Sequence, residues 1–145
     1  MAVAYGDAYS FEISFAGNQQ EVNKNDKGFF DDIVPLSENS IFDIASLTKL
    51  FTCVSILKLM ENRQLAMTDT IAYLDPRFSN LSNTSLFDVL SYRAHLKSQK
   101  RIDEAANFAE AQSLVFGIYE SREGRSKLYS DMNALVLKYV IEAVA

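Results

Sequence analysis

The sequence predicts an α+β fold. Three observations carry that expectation: an alternating apolar run near the N-terminus, a long apolar run of helical period in the first half, and an amphipathic run at the C-terminal end. Of its 145 residues, 48% are hydrophobic and 23% charged, the composition of one soluble globular domain.

Residues 2–5 and 9–15 read as short extended runs separated by Gly6 and Asp7. In the second run Tyr9, Phe11, Ile13 and Phe15 alternate with Ser10, Glu12 and Ser14, the period of a strand with one buried face, so 1–16 is expected to form a β-hairpin. An isolated hairpin is marginal in water, and that apolar face needs a cover. Residues 17–45 are polar, rich in Asn, Asp, Gln and Ser, and contain Pro35; without a sustained period they are expected to form a surface connection.

Residues 46–145 are expected to be a helical region of the same single domain. The strongest helix spans 46–65, where Leu47, Leu50, Phe51, Val54, Leu57 and Leu65 recur at helical spacing. It is apolar on more than one side, which suits a central helix in a core. Thr68, Asp69 and Thr70 can cap a short turn at 71–74, ended by Pro76. Ser85 and Asp88 have the spacing of a capping box for a helix running to about Tyr92. Residues 93–127 are mostly polar, with room for one exposed helix. The last helix begins at Ser130-Asp131 and carries Met132, Leu135, Val136, Tyr139, Val140 and Ala143 along one face.

Charge and composition exclude several functions. Against 14 Lys and Arg stand 19 Asp and Glu, a net charge of -5, which disfavours nucleic acid as a partner. Cys53 is the only cysteine and His95 the only histidine, which excludes an internal disulfide and leaves little to bind a metal. Cys53 is expected as a small core residue, His95 as an exposed loop residue, and residues 97–101 as a solvated basic face. No apolar run reaches the roughly 18 residues that cross a bilayer, so no membrane span is expected, and residues 1–7 do not read as an export signal.

The remaining chemistry rests on Ser, Lys, Tyr and carboxylates. Ser46 stands at the start of the apolar helix, and Lys49, three residues on, shares its face. A helix N-terminus offers free N–H groups and partial positive charge, which stabilise a serine alkoxide or the oxyanion formed after attack on a carbonyl. A nearby lysine can lower the serine pKa or, if deprotonated, act as base. Ser55 and Lys58 repeat the spacing, but Ser55 lies about 900° of helical rotation beyond Ser46, on the opposite face and inside the helix. Ser55 therefore reads as structural.

The wider string Phe42-Asp-Ile-Ala-Ser-Leu-Thr-Lys49, with the apolar helix and Glu61-Asn-Arg-Gln-Leu65 after it, resembles the nucleophile region of the serine β-lactamase and penicillin-binding-protein superfamily. Its class C β-lactamase, DD-peptidase and esterase branch is the most similar. Leu128-Tyr-Ser-Asp-Met-Asn133 is similar to that family's Tyr-x-Asn element, and its separation from Ser46 suits the branch. The resemblance implies a β-lactamase-like fold, no metal or organic cofactor, and an exported or cell-envelope location. It further implies Ser46 as acylated nucleophile, Lys49 as its partner in deprotonation, and Tyr129 as the phenol that passes the proton to the leaving group. Asp131 falls where the family more often has an amide that contacts the lysine and the substrate. A carboxylate there should hold Lys49 protonated and shift the base role to Tyr129.

Two elements depart from the family pattern. Where many relatives have Leu-Ser-His-x-Ser-Gly-Leu, this chain has Leu90-Ser-Tyr-Arg-Ala-His-Leu96, and it carries no Lys-Thr-Gly or His-x-Gly element. The resemblance thus covers the front part of the family fold, with the C-terminal sheet strands missing, and implies a fragment, a processed half or one chain of an assembly, completed by a C-terminal segment or second chain. Two functions follow: a serine hydrolase acting through an acyl-enzyme on a small-molecule or peptide substrate (a D-alanyl peptide, a β-lactam or an ester), or a catalytically silent binding or assembly module on the same scaffold.

Overall fold

The computed structural model describes residues 2–121 and 127–145, and their contacts divide the chain into two compact units, 1–44 and 45–145.

The first unit is two antiparallel hairpins. Strands β1 (Ala2–Gly6) and β2 (Phe11–Phe15) pair from Ala2 opposite Phe15 to Gly6 opposite Phe11. Asp7 makes the turn: its Oδ1 accepts the N–H groups of Tyr9 at 2.8 Å and Ser10 at 2.9 Å. Gly6 is required there, because a Cβ would stand 2.1 Å from the Ser10 carbonyl oxygen. Tyr9, Phe11, Ile13 and Phe15 are exposed.

The expected surface connection at 17–45 is corrected by the second hairpin, β3 (Asn18–Asn25) with β4 (Gly28–Pro35). Its strands are almost wholly exposed, so the pairing rests on the main-chain ladder and leaves no alternation of apolar residues to read. A two-residue turn, Asp26-Lys27, joins Asn25 to Gly28, whose φ of 120° favours glycine. Gln20 Nε2 and Asn23 Nδ2 both donate to Asp32 Oδ2, at 2.6 and 3.0 Å, tying the strands together.

The second unit holds a core of helices. A 3₁₀ turn (Ala45–Leu47) leads into α1 (Thr48–Glu61), a shorter helix than the 46–65 expected. Arg63, at φ 59°, ends it: the N–H of Arg63 reaches the carbonyl of Met60 and that of Gln64 the carbonyl of Leu59, the Schellman pattern. Of α1 only Ile56 and Leu59 are buried; Leu50, Phe51, Val54 and Leu57 are more than half exposed, so the helix is not enclosed as its composition suggested.

Helix α2 (Ile71–Leu74) and α3 (Leu86–Leu90) follow where the capping residues placed them. In α3 the Ser85 hydroxyl accepts the Asp88 N–H at 3.2 Å and the Asp88 carboxylate receives both the hydroxyl and the N–H of Ser85, a complete capping box. Ser85→Ala should therefore lower stability by about 1 kcal/mol, read as a shift in the urea midpoint without a change of slope.

The expected exposed helix in 93–127 is α4 (Phe108–Phe116), capped by Asn107. It is flanked by the short ladder of β5 (Leu96–Lys97) with β6 (Tyr119–Glu120); residues 122–126 lie outside the described residues. That ladder buries His95, whose carbonyl accepts the Ser121 N–H at 2.8 Å, which corrects the expectation of an exposed loop histidine. The basic run at 97–101 is mostly exposed, with Lys100 paired to Glu110 and Arg101 to Asp103.

Helix α5 (Asp131–Val144) crosses the core and buries Asn133, Val136, Leu137 and Val140. Around it pack Ile56, Leu59, Ile71, Phe78, Leu81, Leu86, Val89, Leu96, Val115 and Ile118. Among the described residues, Asp75 carries a charge into this core. Burial of Asp75 works against its ionised form, but the Arg77 guanidinium, donating at 2.9 and 2.7 Å, outweighs it and holds the carboxyl below its ordinary range. Arg77 in turn lies over the rings of Phe116 and Tyr139. Among the described residues no helix is long and apolar enough to cross a membrane.

Candidate functional site

The second unit brings the four predicted residues together. Ser46 sits in the 3₁₀ turn just ahead of α1, whose N-cap position is Leu47, a residue with no side-chain group to cap the helix. Ala45, immediately before it, has φ 45°, a left-handed conformation that a residue with a Cβ rarely adopts. Strain of this kind persists only where the surroundings fix it.

Lys49 is the second residue of α1, one turn beyond Ser46, and its Nζ donates to Ser46 Oγ at 3.2 Å. Tyr129 arrives from 83 residues downstream, its hydroxyl 2.9 Å from the same Ser46 oxygen. The Ser46 hydroxyl is therefore within hydrogen-bond distance of both an amine and a phenol. Asp131, the first residue of α5, places Oδ1 2.5 Å from Lys49 Nζ. The Lys49 side chain is only 16% exposed and that of Asp131 79%, so the ion pair has a sheltered cation and an open carboxylate.

The electrostatics follow from these contacts. The Lys49 ammonium is held well above the ordinary lysine range, first by its hydrogen bond to Asp131 and then by that to Tyr129. The Tyr129 phenol is lowered, first by Lys49 and then by Ser46. A lysine so held is a cation at neutral pH and a poor proton acceptor; the phenol beside it is the easier group to ionise. The ammonium also lies 5.0 Å from the centroid of the Tyr129 ring. Beside Asp131 opens a cleft of about 480 Å³, lined by Arg101, Ile102, Asp103, Met132 and Leu135.

Ser55 is half-buried within α1, and Cys53 is half-buried rather than fully in the core. Among the described residues no cluster of three or more His, Cys, Asp or Glu is arranged to hold a metal ion. Sequence reasoning assigned nothing to Tyr92, which the fold stacks on Tyr129 with ring centroids 5.3 Å apart and planes 16° apart. Its signal was present in the Leu90-Ser-Tyr departure from the family's Leu-Ser-His.

Comparison with known proteins decides the family, because a family model described as Beta-lactamase matches residues 13–145. The chain belongs to the β-lactamase family. Among solved structures it is similar in fold to FmtA from Staphylococcus aureus, with a TM-score of 0.76 and 23% identity over 99% of this chain. That alignment spans 39% of FmtA, so the chain accounts for well under half of that relative's length. A search of curated proteins finds no match. The β-lactamase-like fold expected from the nucleophile string and the tyrosine element is the fold observed, and the family places the chain in the serine hydrolase superfamily.

Proposed function

We propose that this β-lactamase-family chain carries the acylating centre of a serine hydrolase, acting on an amide, lactam or ester carbonyl such as that of a D-alanyl peptide, a β-lactam or a simple ester. One observation carries the reading: the Ser46 hydroxyl lies 3.2 Å from the Lys49 amine and 2.9 Å from the Tyr129 phenol, at the start of a helix.

In this reading Tyr129, as phenolate, takes the Ser46 proton while Oγ attacks the carbonyl carbon. The tetrahedral oxyanion faces the N–H groups at the start of α1. Its collapse breaks the bond to the leaving group, which receives the proton from Tyr129, and leaves Ser46 acylated. Water then attacks the acyl carbon and releases the acid, returning the proton to Ser46. Lys49 stays charged, held by Asp131, and lowers the cost of the phenolate. Asp131, largely open to solvent, also lies at the edge where substrate would approach. A complementing segment or second chain would cover the apolar side of α1, where Leu50, Phe51, Val54 and Leu57 are more than half exposed.

The test is intact-mass measurement of the 145-residue chain after incubation with a fluorophosphonate or a penicillin. A single adduct on the parent chain, lost in Ser46→Ala, is the expected result. No adduct from either reagent would favour the catalytically silent binding module.

A further inference from the structure

Tyr129 has a property its proposed role makes costly: it is 63% exposed and lies in a stretch, residues 127–130, without regular secondary structure. An exposed side chain on such a segment ordinarily samples several rotamers, and most would carry the phenol away from Ser46. Something must hold the ring.

Tyr92 meets that need in three ways. Its ring stacks nearly parallel on that of Tyr129, 5.3 Å between centroids. Its carbonyl accepts the N–H of Leu128 at 2.9 Å, fixing the main chain one residue before Tyr129. Its own backbone is left-handed, φ 58°, a conformation unusual for an aromatic residue. The surrounding turn enforces it: Tyr92 N–H donates to Val89 at 3.2 Å, and Arg93 and Ala94 both donate to the Asp88 carbonyl, at 2.8 and 3.0 Å. Strain held at one residue by a turn that also presents its side chain to the reactive cluster is the pattern of a positioning device.

We infer that Tyr92 is a positioning residue for Tyr129: by its ring plane and its carbonyl it holds the phenol within reach of Ser46 Oγ and Lys49. The inference rests on the hydrolase reading for its purpose, though not for its test. The plane does the work and the Tyr92 hydroxyl does not, so phenylalanine serves and a branched aliphatic residue does not. Burial, and then the neighbouring Tyr129, hold the Tyr92 phenol above its ordinary range, which leaves Tyr129 as the one of the pair that ionises first.

The experiment is a pH titration of the full chain carrying ¹³C at tyrosine Cζ, with the Tyr129 resonance assigned by its loss in Tyr129→Phe. Among the described residues, the charged and titratable groups facing the pair are Lys49 and Cys53 from α1 and Asp131 from α5, and all are retained in the variants. Tyr92→Phe should leave the Tyr129 midpoint where the parent chain has it. Tyr92→Leu should raise it by about one pH unit, a tenfold change in the ionisation constant, as the ring drifts from Lys49. An unchanged midpoint, or a lower one from easier solvation of the phenolate, would overturn the inference. Tyr92→Asn, whose residue type accepts the left-handed backbone, carries the same expectation should Tyr92→Leu fail to fold. The rate of fluorophosphonate labelling should fall in Tyr92→Leu and recover in Tyr92→Phe. A parent chain that never labels would count against the hydrolase reading, while the titration would still decide the role of Tyr92.

Discussion

Tyr129→Phe should slow acylation of Ser46 by about 10²- to 10⁴-fold, the range over which a positioned general base acts, while leaving the fold intact. The phenyl ring can still stack on Tyr92, so the change removes one oxygen, 2.9 Å from Ser46 Oγ, and little else. Lys49 gives the contrast. Lys49→Arg keeps a cation that proteins do not deprotonate, so it should retain more of the acylation rate than Lys49→Ala if the lysine acts through its charge. A full rate in Tyr129→Phe together with none in Lys49→Arg would transfer the base role to the lysine.

The pH dependence has a definite sign under the same assignment. The active form pairs ionised Tyr129 with protonated Lys49, so the acylation rate rises with pH as the phenol loses its proton. Because Lys49 and Ser46 lower that phenol, the rise should be centred below about 10, the ordinary tyrosine value. Lys49→Ala removes the larger cause of the lowering and should move the rise back up toward that value. The falling limb belongs to Lys49, whose pKa is raised by Asp131 and Tyr129, and lies above the ordinary lysine range. Stopped-flow labelling across pH with a reagent whose own reactivity is constant would measure both limbs.

How far this site was legible in the sequence depends on the kind of spacing involved. Ser46 and Lys49 are three residues apart on one helical turn, where local geometry alone brings their side chains together. Tyr129 and Asp131 are distant in sequence, and it was the resemblance of 128–133 to a family element that pointed to them; no periodicity does so. Tyr92 stands in the Leu90-Ser-Tyr departure from the family pattern, but its contribution depends on a left-handed backbone and a stack, which residue types by themselves do not specify. Likewise β3 and β4 form where neither face is buried, and β5 with β6 span two residues each, too short for any alternation. The capping residues succeeded because a cap is a local contact: Ser85 with Asp88 and Ser130 with Met132 act within three residues of themselves.

The apolar period of α1 misled for a different reason, and stability measurements should expose it. Periodicity reports which faces are apolar and is silent on which of them meets a partner. Phe78, outside any long periodic run, is fully buried, its ring edge-on to Phe116 at 5.2 Å and to Tyr139 at 6.2 Å, beneath the two rings that Arg77 covers. Phe78→Ala should therefore cost about 3–5 kcal/mol, the sum of lost transfer energy and an unfilled cavity, a large share of the stability of a unit this size. Phe51, in the centre of the most apolar helix, is 66% exposed in the chain by itself. Phe51→Ala should change stability by no more than about 0.5 kcal/mol, as surface substitutions do. Urea titrations of the two variants separate the possibilities, since a large loss from Phe51→Ala would mean that the outer side of α1 is already covered, as by another copy of the chain. A small loss there beside a large one at Phe78 would mark the outer side of α1 as surface still open to a complementing segment.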